Sequence, residues 1–258
     1  MEVFLLRHSI SFRGLANVGS VVKVTFEGQN QSTTAATDVT WSIRFPAHEA
    51  GGPYKAVIIA GKEKLMLRDI YVGDVWLCSG QSNMELPVSA VQSREQDLSE
   101  ADQQSLIHLF NMPTRYPTDA KSWSLAACDS VNRHQLLRVG PWKNCSHESL
   151  SGFSAVAYHF GKTLADSLQV PIGLICNAVG GTTTESWIDR STLERAFPAI
   201  LRNWFHGDFG MKWARERALL NVANSTNPLQ QHPYSPAYMY ETGLTPLSGY
   251  AVKGVVWY

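Results

Sequence analysis

A serine stands directly after a short apolar run in this chain: Val75-Trp76-Leu77-Cys78 leads into Ser79-Gly80-Gln81-Ser82-Asn83-Met84. A tight turn at the end of a buried strand exposes such a hydroxyl and frees the following backbone N–H groups to hold a developing oxyanion. The chemistry this permits is acyl transfer, with Ser82 as nucleophile. The turn is not the G-x-S-x-G elbow of α/β-hydrolases, because Met84 stands where that motif has its second glycine. The same residues also fit a polar strand-to-helix connection in which Ser82 caps the helix.

A second turn of the same kind is Gly180-Gly181-Thr182, which follows the apolar run Ile172 to Val179. Paired glycines let a backbone N–H approach a ligand without a Cβ in the way. Glu185 and Trp187 come shortly after. The pair also fits a plain helix-opening turn, and Trp187 fits a core position as well as it fits a platform for a sugar ring.

The elements that must position these turns are readable from hydrophobic periodicity. Residues 21–71 read as β structure: Val21, Val22, Val24 and Phe26 precede a polar turn, and Val39, Trp41, Ile43 and Phe45 alternate at period two. Ala56 to Ala60 adds a short apolar run, and the spacing suggests a small sandwich-like module. Near Asp69 the pattern changes. Ile107 to Phe110 predicts a strand, and Phe153, Val156, Ala157, Phe160, Leu164 and Leu168 fall at helical spacing up to the stop at Pro171. Ile172 to Val179 predicts a buried strand, 196–222 a mostly helical stretch broken around Gly207 to Gly210, and Val252 to Tyr258 a last strand. Alternating strands and helices indicate an α/β layer with a largely parallel sheet, and in such sheets ligands bind outside the carboxyl ends of the strands.

Composition narrows the partners. Lys plus Arg and Asp plus Glu are both 22 in 258 residues, so no basic excess favours nucleic acid. No apolar run approaches the roughly 18 residues of a membrane span. Met1 to Gly14 lacks the long apolar region and small-residue cleavage site of a signal peptide. No cysteines form a C-x-x-C pair, which argues against a zinc cluster. Cys78 and Cys176 read as buried thiols, whereas Cys128 and Cys145, in polar surroundings, form a disulfide only in an exported protein.

The block Val75 to Met84 resembles the nucleophile block of the sialate O-acetylesterases, a carbohydrate-esterase family of the SGNH-hydrolase type. The resemblance continues in order through Ala50-Gly51-Gly52-Pro53-Tyr54, Phe153 to Tyr158, Pro171 to Thr182 with Glu185-Ser186-Trp187, and Lys253 to Tyr258. It implies an α/β, SGNH-hydrolase-like (flavodoxin-like) three-layer fold, incomplete, preceded by a β-sandwich-like module. Residues 1–70 would be the module, and residues 71–258 an esterase domain that stops before its C-terminal catalytic blocks. It implies removal of O-acetyl groups from sialic acid or related carbohydrates through an acetyl-serine, with no cofactor and no metal. A catalytically inactive fragment or carbohydrate-binding remnant is the alternative. Ser82 becomes the nucleophile, Gly181 an oxyanion N–H donor and Gly180 the neighbouring alternative. Asn83, Glu185 and Trp187 become candidates for shaping the turn and the substrate pocket. The resemblance suggests a secreted, periplasmic or lysosomal setting, with an O-acetylated carbohydrate as the partner.

Two parts of the family pattern have no counterpart here. The family draws an oxyanion asparagine from a Q-G-E-S-N segment, and its base and orienting acid from a D-x-x-H segment. None of the eight histidines has Asp or Glu three positions before it, and Glu241 stands where the family has an asparagine. A serine without an adjacent base is a poor nucleophile. A sheet left unfinished after Tyr258 would expose an apolar edge, which predicts self-association.

Overall fold

The computed structural model describes residues 3–8 and 10–258. The first part of the chain forms strands β1 (Val3–Leu6), β2 (Ile10–Leu15), β3 (Val21–Phe26), β4 (Gln29–Thr34), β5 (Thr40–Phe45) and β6 (Gly51–Ala60), followed by the long β7 (Glu63–Ser79). Antiparallel pairing gives the order β4-β3-β6-β7, and β1 joins β7 in parallel over Ile70 to Gly73. The antiparallel pair β2-β5 is a separate small sheet. Val22, Val24 and Phe26 meet Ile10, Phe12, Trp41, Ile43, Phe45 and Ile70 in one buried core, so the period-two alternation marks the inward face from Trp41 onward, whereas Val39 lies in the left-handed turn before β5 and is exposed.

β4 is a strand the hydrophobic pattern does not disclose. Its residues Gln29-Asn30-Gln31-Ser32-Thr33-Thr34 are polar and almost all exposed at the sheet edge, where pairing with β3 alone defines them. β7 differs from expectation in another way. It runs unbroken through residue 70, pairing with β6 at its start and with the parallel layer at its end. The change of pattern near Asp69 makes the sequence look divided there. Gly73 is required because Pro171 crosses so closely that a Cβ would overlap its carbonyl.

The layer beyond β7 is built from α1 (Ser82–Glu85), α2 (Arg94–Glu100), β8 (Ile107–Asn111), α3 (Leu125–Asn132), β9 (Lys143–Asn144), α4 (His147–Ser151), α5 (Ala155–Leu168), β10 (Ile172–Cys176), α6 (Arg190–Ala196), α7 (Lys212–Asn221) and β11 (Gly254–Trp257). Strands β8, β10, β7 and β11 lie parallel in that order, with β9 antiparallel outside β8. β10 is central, and all five of its residues are buried, as a strand covered on both faces requires.

Alternate residues of β10 point to opposite faces. Ile172, Leu174 and Cys176 pack with α5 residues Ala155, Tyr158 and Ala165, while Ile175 packs with Ala127, Val131, Trp123 and Tyr238. Helices and loops therefore cover both sides of the sheet. α5 starts where Ser154 Oγ accepts from the Ala157 N–H (3.1 Å), and it ends at Gln169 in the left-handed region, two residues before Pro171. The stretch 196–222 is helical only in parts. α6 ends at Ala196, a single turn covers Pro198 to Leu201, and α7 begins at Lys212.

Asp74 fastens the layer to the chain on either side. Its buried carboxylate accepts from Arg7 Nη2 (3.0 Å) and Lys253 Nζ (2.8 Å). Arg7 Nε also approaches Oδ1 to 2.8 Å, as an ion pair whose direction is too poor for a hydrogen bond. All four cysteines are free and buried. Cys128 and Cys145 lie in different cores, on opposite faces of the sheet, so this pair does not form the disulfide that export would have allowed.

Candidate active site

Register fixes where the two candidate turns meet. β7 and β10 are parallel neighbours with Cys78 opposite Cys176, so the chain leaves both strands at the same edge of the sheet. Ser82 follows β7 by three residues, and Gly180-Gly181 follows β10 by four. The two turns thus come together by topology alone.

The turn after β7 is shaped by Gly80, whose φ of +136° is open chiefly to glycine. A Cβ there would also overlap the Tyr258 carbonyl, which accepts from the Gln81 N–H at 3.0 Å. This places Ser82 as the first residue of α1, exposed, with Gln81 before it.

The turn after β10 is held on three sides. The Gly180 N–H donates to Glu85 Oε2 (2.8 Å), and the Gly180 carbonyl accepts from Thr118 Oγ1 (3.0 Å) and Tyr234 Oη (3.1 Å). That carbonyl and the Gly181 N–H belong to one planar peptide and point in opposite directions. Anchoring the carbonyl on Thr118 and Tyr234 therefore aims the Gly181 N–H back toward Ser82. Gly181 has φ +78°, and a Cβ on it would overlap the Tyr234 hydroxyl, so only glycine fits.

One oxygen atom records the convergence. Gln81 Oε1 accepts from the Ser82 N–H (3.0 Å), from Ser82 Oγ (2.9 Å) and, at 3.4 Å, from the Gly181 N–H. Two backbone donors from turns a hundred residues apart thus point at a single oxygen beside the serine hydroxyl, as stabilising an oxyanion demands.

The other expected residues play different parts. Asn83 is exposed on α1. Glu185 accepts from Trp204 Nε1 (3.1 Å), and its carbonyl accepts from the Ala237 N–H (2.9 Å). Trp187 is buried, donates to Thr182 Oγ1 (2.9 Å) and meets Trp257 edge-on. Both brace the loop that carries Gly181. Glu85, Thr118 and Tyr234 were not legible as site residues. Only the placement of Glu85 three positions after Ser82, on the same short helix, hinted at its part.

Several histidines are engaged elsewhere. His134 Nε2 lies 2.9 Å from Gln231 Oε1 and 3.8 Å from Glu241, and His159 Nε2 lies 3.2 Å from Asp97. Burial holds the pKa of His232 down to about 3, so it stays neutral, against Asn221. Among the described residues no three His, Cys, Asp or Glu side chains cluster as a metal site would require.

With that geometry established, comparison with known proteins is informative. Residues 72–205, just over half of the chain, match the family described as carbohydrate esterase, sialic acid-specific acetylesterase. The chain belongs to this family. It is 30% identical to the sialate O-acetylesterase of Mus musculus over 95% of this chain and 47% of that protein. The figures for the Homo sapiens sialate O-acetylesterase are 29%, 95% and 44%. The crystal structure of a carbohydrate acetylesterase from Xanthomonas citri superposes with a TM-score of 0.70 at 28% identity, covering 99% of this chain and 48% of that one. The α/β fold expected for the family is therefore the fold observed. The chain spans about half the length of the relatives it matches.

Proposed function

We propose that this chain carries the nucleophile and two oxyanion donors of an esterase that removes O-acetyl groups from sialic acid or related carbohydrates. The observation that supports this reading most strongly is the convergence of the Ser82 and Gly181 N–H groups on one oxygen next to Ser82 Oγ. Gly181 is favoured over Gly180 as donor, because the Gly180 N–H is committed to Glu85. Glu185 and Trp187 act as positioning residues through the loop, and Asn83 shapes the turn. Residues 1–70 serve as a β module and residues 71–258 as the esterase layer, the two sharing β7.

In the reaction, Ser82 Oγ bonds to the acetyl carbonyl carbon as its proton passes to a general base. The carbonyl oxygen becomes an oxyanion held by the two N–H groups. Collapse breaks the bond to the sugar oxygen, which takes up a proton and leaves as a hydroxyl. Water then attacks the acetyl-serine, releasing acetate and restoring Ser82. The resemblance assigns the base to a D-x-x-H segment that this sequence does not contain, so acetyl-enzyme formation is a better readout than turnover.

The test incubates the chain with p-nitrophenyl acetate, quenches in acid and maps acetylation by mass spectrometry. Acetyl on the Ser82 peptide, absent in Ser82→Ala, is the expected result. Acetylation confined to residues other than Ser82 overturns the proposal. O-acetylated sialic acid and acetylated xylan oligosaccharides offered in competition then separate the substrate classes.

A further inference from the structure

We propose that the Gln81 side chain is a gate: in the resting protein its carboxamide oxygen occupies the oxyanion position and must be displaced before an acetyl group can bind. This inference rests on the reading of Ser82 and Gly181 given above, and it concerns a residue to which that reading assigns no role. Gln81 precedes α1, yet its oxygen does not make the usual capping bond to the second or third helical N–H. It turns instead to the Ser82 N–H (3.0 Å) and across to the Gly181 N–H (3.4 Å). Those are the two donors an acetyl carbonyl oxygen needs, and a carboxamide oxygen resembles that oxygen in size and polarity.

The third bond gives the contact a second consequence. Ser82 Oγ donates its proton to the same Gln81 oxygen (2.9 Å). While the gate is closed, the hydroxyl is oriented by Gln81 and not by a base, and the hole cannot polarise a substrate. A carbonyl oxygen that enters the hole replaces Gln81 Oε1 on both N–H groups and releases the hydroxyl in the same movement. Gln81 therefore acts as a built-in competitor whose cost is met only by a ligand that can accept from both donors. Its side chain is half-buried, with the backbone fixed by the Tyr258 carbonyl, so rotation of the side chain alone opens the site.

The two replacements of Gln81 that matter act in opposite directions. Gln81→Ala removes the competitor. Gln81→Glu puts a carboxylate on the same donors, a stronger acceptor for them than a neutral amide. A merely structural role for Gln81 would make both changes harmful alike.

The experiment is an NMR titration of the whole chain, labelled with ¹⁵N, using sodium acetate, the product anion, as the probe of the hole. Acetate should shift the Ser82 and Gly181 amide signals, with a Kd about tenfold lower in Gln81→Ala, the scale of one displaced hydrogen bond. In Gln81→Glu those signals should stop responding. Gln81→Leu, which keeps the volume and lacks the acceptor, should match Gln81→Ala. Equal affinity in all four proteins would leave the hole intact and overturn the gate. No response of either amide in any of them would overturn the reading of the site itself, and the gate with it. Loss of the dispersed spectrum in both Gln81→Ala and Gln81→Leu would show Gln81 to be structural and would also overturn the proposal.

Discussion

Glu85 and Gly180 are joined by a hydrogen bond of 2.8 Å from backbone N–H to carboxylate, which ties the helix bearing Ser82 to the turn bearing Gly181. Desolvation raises the Glu85 carboxyl above its ordinary 4.5, and the bond from Gly180 pulls it partly back. A folded-state pKa that is raised means stability is fullest below 4.5 and is lost as pH climbs through the folded value. Glu85→Gln keeps an acceptor for Gly180 with no charge to desolvate. Thermal melts of the two proteins between about pH 4 and pH 8 should diverge in favour of Glu85→Gln as pH rises. Wild type gaining on the variant with rising pH would contradict this.

Gly181→Ala should damage the site more than the fold. A left-handed conformation costs a non-glycine residue about 1–2 kcal/mol, and the new Cβ must also push the Tyr234 hydroxyl aside. The shift turns the Gly181 N–H away from Ser82, and losing one oxyanion donor costs about 10²–10³ in rate. Acetylation of Ser82 should slow on that scale while a cooperative melt persists. An unchanged acetylation rate would remove Gly181 from the donor pair.

The Asp74 cluster should respond asymmetrically to substitution. Replacing Arg7 and Lys253 together by Met strands a buried carboxylate and should cost about 3–5 kcal/mol. Asp74→Asn leaves two cations that reach solvent and should cost less, about 1–2 kcal/mol. Urea unfolding of both variants measures the difference, and equal losses would show that the pairing energy does not sit on the buried partner.

β11 bears Val255 at 56% and Trp257 at 52% exposure, with Tyr258 at 57% beside them. An apolar strand face of this kind favours association between copies. Light scattering behind size exclusion should show mass rising with concentration, and Val255→Lys with Trp257→Lys should abolish the rise. A wild-type mass that stays monomeric across concentrations would rule this surface out.

What the sequence disclosed follows from what periodicity can encode. α5 and β10 were legible because each buries a regular set of apolar residues and Pro171 divides them, with α5 ending just before it and β10 starting just after it. β4 was not, because pairing rather than burial defines a polar edge strand. The continuity of β7 was hidden by the change of pattern near Asp69, where the strand passes from its pairing with β6 to the parallel layer. At the candidate site, Ser82 and Gly181 were legible locally only as turns after strands, and the family resemblance singled them out. The roles of Gln81, Thr118 and Tyr234 depend on contacts between positions far apart in the chain, which no local pattern carries.

β7 also sets an order of events. Its pairing with β6 is a local hairpin, whereas its pairing with β11 joins residues separated by most of the chain. Contacts closing such long loops form late, because chain entropy must be lost before they add any stability. The Tyr258 carbonyl that receives the Gln81 N–H arrives with β11. Loop-closure entropy therefore predicts that the turn bearing Ser82 is among the last parts of the molecule to mature, after the contact between Gln81 and Tyr258 has formed.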